Sequence, residues 1–374
     1  MSWLSNVIHL TVKELRCVLR DHTMMVAIAV AFSVAIYLVA TGTRATVANV
    51  SVGVVDNDHS GLSARLREVI RLPYFKAPIE IDRSEVEAAM NEGRFIFVLD
   101  IPPHFQADVL ALRAPVLQVN VDATAMMQAN LGTAYLYEIV ARETLDYLKV
   151  QGVDARLPTR LVVHTLFNPN IESSWFTSIM QVINNITILA VVLVGAAVIR
   201  EREHGTIEHL LVMPVRPSEI ALAKILANGL VILVAVALCM VTVVEGVLQV
   251  PVTGSLPLFL AGTGLYLFSL AALGILLATM TSSMPQFGLL AVPVFVIMYL
   301  LSGSTTPRES MPPLLQDLML ASPSTHYVKL AQGILYRAAP WSLVWPHFVA
   351  MAGIGTVFLL AALIRFRSML ARQA

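Results

Sequence analysis

Residues 200–224 read REREHGTIEHLLVMPVRPSEIALAK. This charged stretch separates two long apolar runs, one ending near Ile199 and the next opening near Ile220. It carries an apolar face of its own in Ile207, Leu210 and Leu211, with Gly205 before it and Pro214 and Pro217 after it. Glycine permits a tight backbone path and proline ends a helical piece, so the segment reads as a short docking helix between two membrane spans. A plain polar loop with a chance apolar face is the alternative.

The surrounding composition sets the class. Of 374 residues, 57% are hydrophobic and 13% charged, against roughly 25% charged in soluble domains. The chain is therefore expected to be an integral membrane protein. Its formal net charge of zero gives no pull toward nucleic acid. The two cysteines, Cys17 and Cys239, lie in or beside predicted membrane-associated helices and exclude a disulfide framework.

Working outward from the stretch, the apolar runs number six. Residues 1–22 come first, with Ile8, Val12, Leu15 and Leu19 on one helical face; they read as an amphipathic helix in the membrane interface or as a solvated lead-in. Residues 23–41 form the first span, with a core longer than the 7–15 apolar residues of a signal peptide. Residues 42–172 recover charge and alternate strand-like with helix-like runs, predicting an inserted α/β or α+β domain. Its strands are expected at 50–55, 95–101, 116–121 and 160–167, and its helices at 60–71 and 123–150. A further helix is expected to start at a capping box of Ser84 and Glu87.

Residues 173–374 hold the second to sixth spans, with the polar stretch 200–219 between the second and third. Residues 302–343 are too poor in apolar residues to cross and are expected to form short, proline-started re-entrant or interfacial helices. The fold class is thus an α-helical polytopic membrane protein with six transmembrane helices and an inserted extracytoplasmic domain. On one side of the bilayer the loops and ends would carry Lys13, Arg16, Arg20, Arg200, Arg202, Arg216, Lys224, Arg365, Arg367 and Arg372. The positive-inside rule puts these residues and both termini in the cytoplasm, and residues 42–172 outside it.

Three polar residues stand inside the spans. Asn184 and Asn185 need partners either across a helix interface or along a hydrated route. Glu245, near the outer end of the third span, is a functional candidate or a snorkelling side chain. The sequence has no G-x-x-x-x-G-K-[ST] phosphate cradle, no H-E-x-x-H, no C-x-x-C and no G-x-S-x-G. His204 and His209 are five residues apart and fall on different helix faces, so no metal site is expected. The chain reads as a non-enzyme.

The stretch resembles the type 2 family of ATP-binding-cassette transporter permeases. The resemblance rests on Glu201, Glu203, Gly205, Thr206, Glu208, Leu210, Pro214, Glu219 and Lys224, with Met213 and Ala223 departing from the family pattern. Phe167 to Asn170, Thr306, Pro307, Met311, Pro312, Gln332 and Gly333 extend it along the chain. The resemblance implies a bacterial inner-membrane exporter subunit with a periplasmic domain. It further implies that Glu201, Glu203, Gly205, Thr206, Ile207, Glu208, Leu210, Leu211 and Pro214 form a coupling helix seated on a cytoplasmic ATP-binding subunit. That partner would bind ATP and magnesium; this chain would hold no cofactor. A second permease copy or paralogue, membrane lipids and a periplasmic adaptor would complete the partners, and a hydrophobic or amphiphilic substrate would move outward. A receptor or envelope scaffold that uses only its outer domain is the competing reading.

Overall fold

A computed structural model of the chain describes residues 3–42, 50–71, 74–92, 94–113, 115–122, 126–151, 172–203, 215–304 and 311–371. The expected strand at 160–167 and the core of the docking segment, 204–214, lie outside the described residues. The chain divides into two compact units: Met1–Thr43 with Ser174–Ala374, and Arg44–Ser173.

Among the described residues, the second unit holds a four-stranded mixed sheet dressed with helices. Strand β1 (Val52–Asp56) is buried along its whole length, as a central parallel strand covered on both faces must be. It pairs in parallel with β2 (Ile79–Glu80) and β3 (Phe97–Ile101), and β3 pairs antiparallel with β4 (Gln118–Val121), in the order β2-β1-β3-β4. Parallel neighbours need crossovers. These are supplied by two helices of the unit, Gly61–Val69 between β1 and β2 and Val86–Asn91 between β2 and β3.

One face of this sheet buries Val52, Val54, Phe97 and Leu99 with Leu62, Leu66 and Phe75. The other buries Val55 and Val98 with Ala89 and Phe95. The long helix Met126–Val150 covers the first face through Leu136, Tyr147 and Leu148. A short helix at Phe105–Leu110 and the two-residue β2 carry too little periodicity to be read from sequence.

The capping box expected at Ser84 and Glu87 does not form. The chain enters the helix Val86–Asn91 through a 3-10 turn, Arg83–Glu85, which puts Ser84 inside the turn and makes Glu85 the cap, with no side-chain hydrogen bond. A reciprocal box does occur at Ser60 and Ser63, where each hydroxyl accepts the other residue's backbone N–H.

Among the described residues of the first unit, six helical stretches are long and apolar enough to cross a membrane: His22–Gly42, Ser174–Glu203, Pro217–Val247, Leu256–Thr279, Met284–Leu301 and Trp341–Arg365. We refer to them as spans 1 to 6. The leading helix Trp3–Arg20 precedes span 1 and packs along the first half of span 3. Span 1, an unbroken apolar run in sequence, is divided into His22–Ala31 and Val34–Gly42 by a turn at Phe32 and Ser33. Span 3 ends in a π-helical stretch, Met240–Val247.

Span 4 lies at the centre of the unit and buries Tyr266, Leu270, Ala272 and Ile275. Its Gly274 faces the backbone of span 2 so closely that a Cβ there would fall 2.7 Å from the Val191 carbonyl oxygen. Without a strong hydrophobic drive between helices inside a bilayer, such close approach is what strengthens their association. After span 5, the helix Pro323–Arg337 turns back into the bundle. Its Tyr327 stacks on Tyr266 with ring centroids 4.1 Å apart. Tyr266 lies ten residues into span 4, about 15 Å along that helix. The Pro323–Arg337 helix therefore packs against span 4 well away from that span's first turn.

The close approach makes a test. Gly274→Val should lower the stability of the detergent-purified protein by about 1–3 kcal/mol, the usual cost of overpacking. Gly264→Ala, which meets nothing within 4 Å, should leave the melting temperature nearly unchanged in the same thermal melts.

Candidate functional site

The residues flanking 204–214 are held by a cluster of charges shared among three helices. Lys224, about two turns into span 3, is 2% exposed. Its Nζ lies 2.7 Å from Glu201 Oε1 at the end of span 2 and 3.1 Å from Glu14 Oε2 on the leading helix. Lys13 closes the ring, 3.2 Å from Glu14 and 3.8 Å from Glu201. An ammonium so buried is tolerated only with carboxylate partners, and removal of one partner from a buried pair typically costs about 3–5 kcal/mol. The two cations and two anions alternate, so each charge has opposite neighbours.

Further contacts extend the cluster on both sides. Glu219 accepts the backbone N–H of Arg216 at 2.6 Å, which satisfies an N-terminal donor of span 3, and also accepts the Asn6 side-chain amide at 3.3 Å. Arg200 pairs with Asp21 at 3.1 Å, while Asp21 itself caps the helix His22–Ala31 by accepting the Met24 N–H. Arg202 donates to the Thr281 carbonyl at 2.7 Å, after span 4, and Glu203 accepts the Met284 N–H at 3.0 Å, at the start of span 5. A carboxylate there also complements the positive end of the helix dipole. Residues 200–203 are thus tied to the leading helix and to spans 1, 4 and 5, and residues 216–224 to the leading helix.

Of the residues singled out in the sequence, Glu201 and Glu203 occupy these junctions. Gly205, Thr206, Ile207, Glu208, Leu210, Leu211 and Pro214 lie outside the described residues. Asn185 is buried in span 2; its amide donates to the Ala31 carbonyl, and its oxygen accepts from Gln181 at 2.9 Å. That carbonyl lies where span 1 breaks and its own helical acceptor bonding ends, so Asn185 fills the gap left by the turn at Phe32 and Ser33. Asn184 is half-buried. Glu245 is exposed within the π-helical end of span 3, away from the charge cluster in sequence by some twenty residues along one helix, about 30 Å.

Sequence reading missed the partners contributed by other helices. In the sequence, Glu14 is one of several charges within residues 1–22. Its placement on the buried edge, beside Val7 and Val18, follows from helical spacing, with Val7, Glu14 and Val18 falling near one stripe. A second polar cluster lies within the bundle. Thr187 of span 2 shares a 2.7 Å hydrogen bond with Tyr266, and Thr263 of span 4 shares a 2.8 Å bond with Tyr327. Both phenols are fully buried, and both have partners, as buried hydroxyls require. Among the described residues no group of three or more His, Cys, Asp or Glu could hold a metal ion.

The charge cluster has a pH consequence. Burial pushes the Glu14 carboxyl up, but the Lys224 and Lys13 charges and hydrogen bonds outweigh it and hold the group below the ordinary 4.5. A carboxylate whose folded pKa is depressed adds stability that is fully present above the unfolded value and is lost as pH falls through the folded value. Thermal melts should therefore show this contribution intact near neutral pH and lost as the pH falls below the ordinary carboxyl value of 4.5. In Glu14→Gln, the melting temperature at neutral pH should be lower and its decline with acid shallower.

The profile of the family described as ABC-2 family transporter protein matches residues 23–364. Inner membrane transport permease YhhJ of Escherichia coli (strain K12) is 46% identical over 374 residues, covering 100% of both chains. Probable multidrug ABC transporter permease YbhR of the same strain is 27% identical over 354 residues, covering 92% of this chain and 94% of its own. Probable multidrug ABC transporter permease YbhS, also of that strain, is 26% identical over 372 residues, covering 98% and 95% respectively. Six membrane-crossing stretches, a family match over most of the chain and full-length likeness to an inner-membrane permease lead to one conclusion: the chain belongs to the ABC-2 transporter family, as a multi-pass inner-membrane permease that works with ATP-binding subunits.

Proposed function

We propose that the chain is the membrane-crossing subunit of an exporter, with no nucleotide site of its own, and that residues 204–214 receive force from a cytoplasmic ATP-binding subunit. The observation that carries this reading is the shared charge cluster of Lys13, Glu14, Glu201 and Lys224. A segment that only linked two spans would not need both of its ends bound to a third helix. With Glu201 and Glu203 on one side and Glu219 and Lys224 on the other, a push on 204–214 reaches spans 2, 3 and 5 and the leading helix together. Gly205, Thr206, Ile207, Glu208, Leu210, Leu211 and Pro214 would form the docking helix, with Ile207, Leu210 and Leu211 as its apolar contact.

The basic residues on this side support a cytoplasmic location for both termini and an outer location for the α/β unit. The chain would act as a dimer with a second copy or a related permease. The outer unit would receive substrate or dock an adaptor. The mostly apolar bundle and the likeness to two probable multidrug ABC transporter permeases favour a hydrophobic or amphiphilic substrate moved outward. Asn184, which is half-buried in span 2, and Glu245 are the polar residues available to a translocation route.

Reconstitution with the partner ATPase tests the coupling role. Gly205→Pro and Glu208→Ala should reduce both substrate-stimulated ATP hydrolysis and transport. Lys224→Met should uncouple the two: hydrolysis continues while transport falls by about 5- to 150-fold, the range of a coupling free energy of 1–3 kcal/mol. Transport at the wild-type rate in all three variants would remove the coupling role from this segment.

A further inference from the structure

Beside the charge cluster, an apolar groove of about 500 Å³ runs between span 1 and span 3. This volume lies within the roughly 300–1,000 Å³ typical of small-molecule sites. Leu15 and Leu19 of the leading helix line one end, Ala29 and Phe32 the middle of the span 1 side, and Ala235 and Val243 the span 3 side. The lining on span 3 runs from Leu230 to Val243, thirteen residues or about 20 Å along a helix. One leaflet of a bilayer has about 15 Å of hydrocarbon, half of the roughly 30 Å core.

The groove offers almost nothing to a polar ligand. Its two hydroxyls donate to carbonyls of their own helices, Ser33 to Ala29 and Thr242 to Leu238. At the end marked by Leu15 and Leu19, the character changes. Arg16 and Arg20 follow those leucines at the same i, i+4 spacing, form the neighbouring stripe of the helix, and are exposed. Their neighbours Lys13 and Asp21 are engaged in ion pairs, with Glu14 and Arg200. No ion pair of Arg16 or Arg20 falls among the described residues. The site thus has two cationic side chains at one end and an apolar trough, about one leaflet deep, leading away from them.

We propose that this groove binds one anionic phospholipid, with an acyl chain in the trough and the headgroup phosphate on Arg16 and Arg20. The lipid bridges the leading helix and span 1 to span 3; Glu14 and Lys224 already join the leading helix to span 3, and the lipid so supports that ion pair from its membrane side. Basic clusters beside a membrane helix attract anionic lipid by about 1 kcal/mol per charge. The neutral headgroup of a zwitterionic lipid gains no such attraction.

The test uses the full chain reconstituted into mixed vesicles of phosphatidylglycerol and phosphatidylethanolamine. After re-extraction in mild detergent, retained lipid is counted by native mass spectrometry. Wild-type protein should retain phosphatidylglycerol well above its share of the vesicle. Arg16→Gln with Arg20→Gln should lower that preference by about 30-fold, the effect of two surface charges. Ala29→Phe, which fills the trough from an exposed position, should remove retained lipid of both kinds while the protein stays monodisperse. Retention that tracks vesicle composition in the wild type overturns the proposal. So does undiminished phosphatidylglycerol in both variants. If Ala29→Phe changes the oligomeric state and leaves lipid retention untouched, a second copy of the chain occupies the groove and the proposal also fails.

Discussion

A lysine ammonium buried among apolar helices is the constraint on which the cytoplasm-facing end of the bundle, as we orient it, depends. Lys224 has its carboxylates on Glu14 and Glu201, which are separated by most of the first half of the chain. Desolvation of an unpaired charge would cost far more than any single apolar contact returns. The leading helix, the end of span 2 and the start of span 3 are therefore obliged to meet at one point. Everything inserted between span 1 and span 2, the entire α/β unit, has to leave that meeting intact.

A similar obligation operates deeper in the bundle, with neutral groups. The turn at Phe32 and Ser33 interrupts span 1 and leaves the Ala31 carbonyl without its helical donor; Asn185 of span 2 provides one. The phenols of Tyr266 and Tyr327 bring the helix Pro323–Arg337 against span 4, each with a threonine partner. Apolar side chains set how much surface these helices can cover. The polar ones set which helices meet and at what depth, because an unsatisfied polar group within a bilayer core costs several kcal/mol. Small residues permit the approach, as Gly274 does opposite Val191.

These ties give the two ends of residues 204–214 different mechanical neighbours. Residues 200–203 reach the start of span 5 through Glu203 and the end of span 4 through Arg202. Residues 216–224 reach the leading helix through Glu219 and Lys224. Motion imposed between those ends is shared by most of the bundle, which suits an energy supply located on another chain. The anionic lipid proposed for the neighbouring groove would act on the same joint from the hydrocarbon side.

Much of this was legible without coordinates, and for a physical reason. Bilayer thickness demands about 20 apolar residues per crossing, so the six candidate spans announce themselves as runs. The short apolar runs of β1 and β3 mark buried strands, because such runs are local in the chain. Glu201 and Lys224 stood out as charges in a motif, but nothing in their spacing names Glu14, and Asn185 carried no sign that it would meet Ala31. Pairings across 150 to 210 residues are decided by packing alone. The sequence by itself determined the number of spans, the presence of a mixed α/β insertion and the polar stretch at 200–224. Only the tertiary structure decided which helices close around that stretch, because the partners of a buried charge are chosen by proximity in space, which no local pattern encodes.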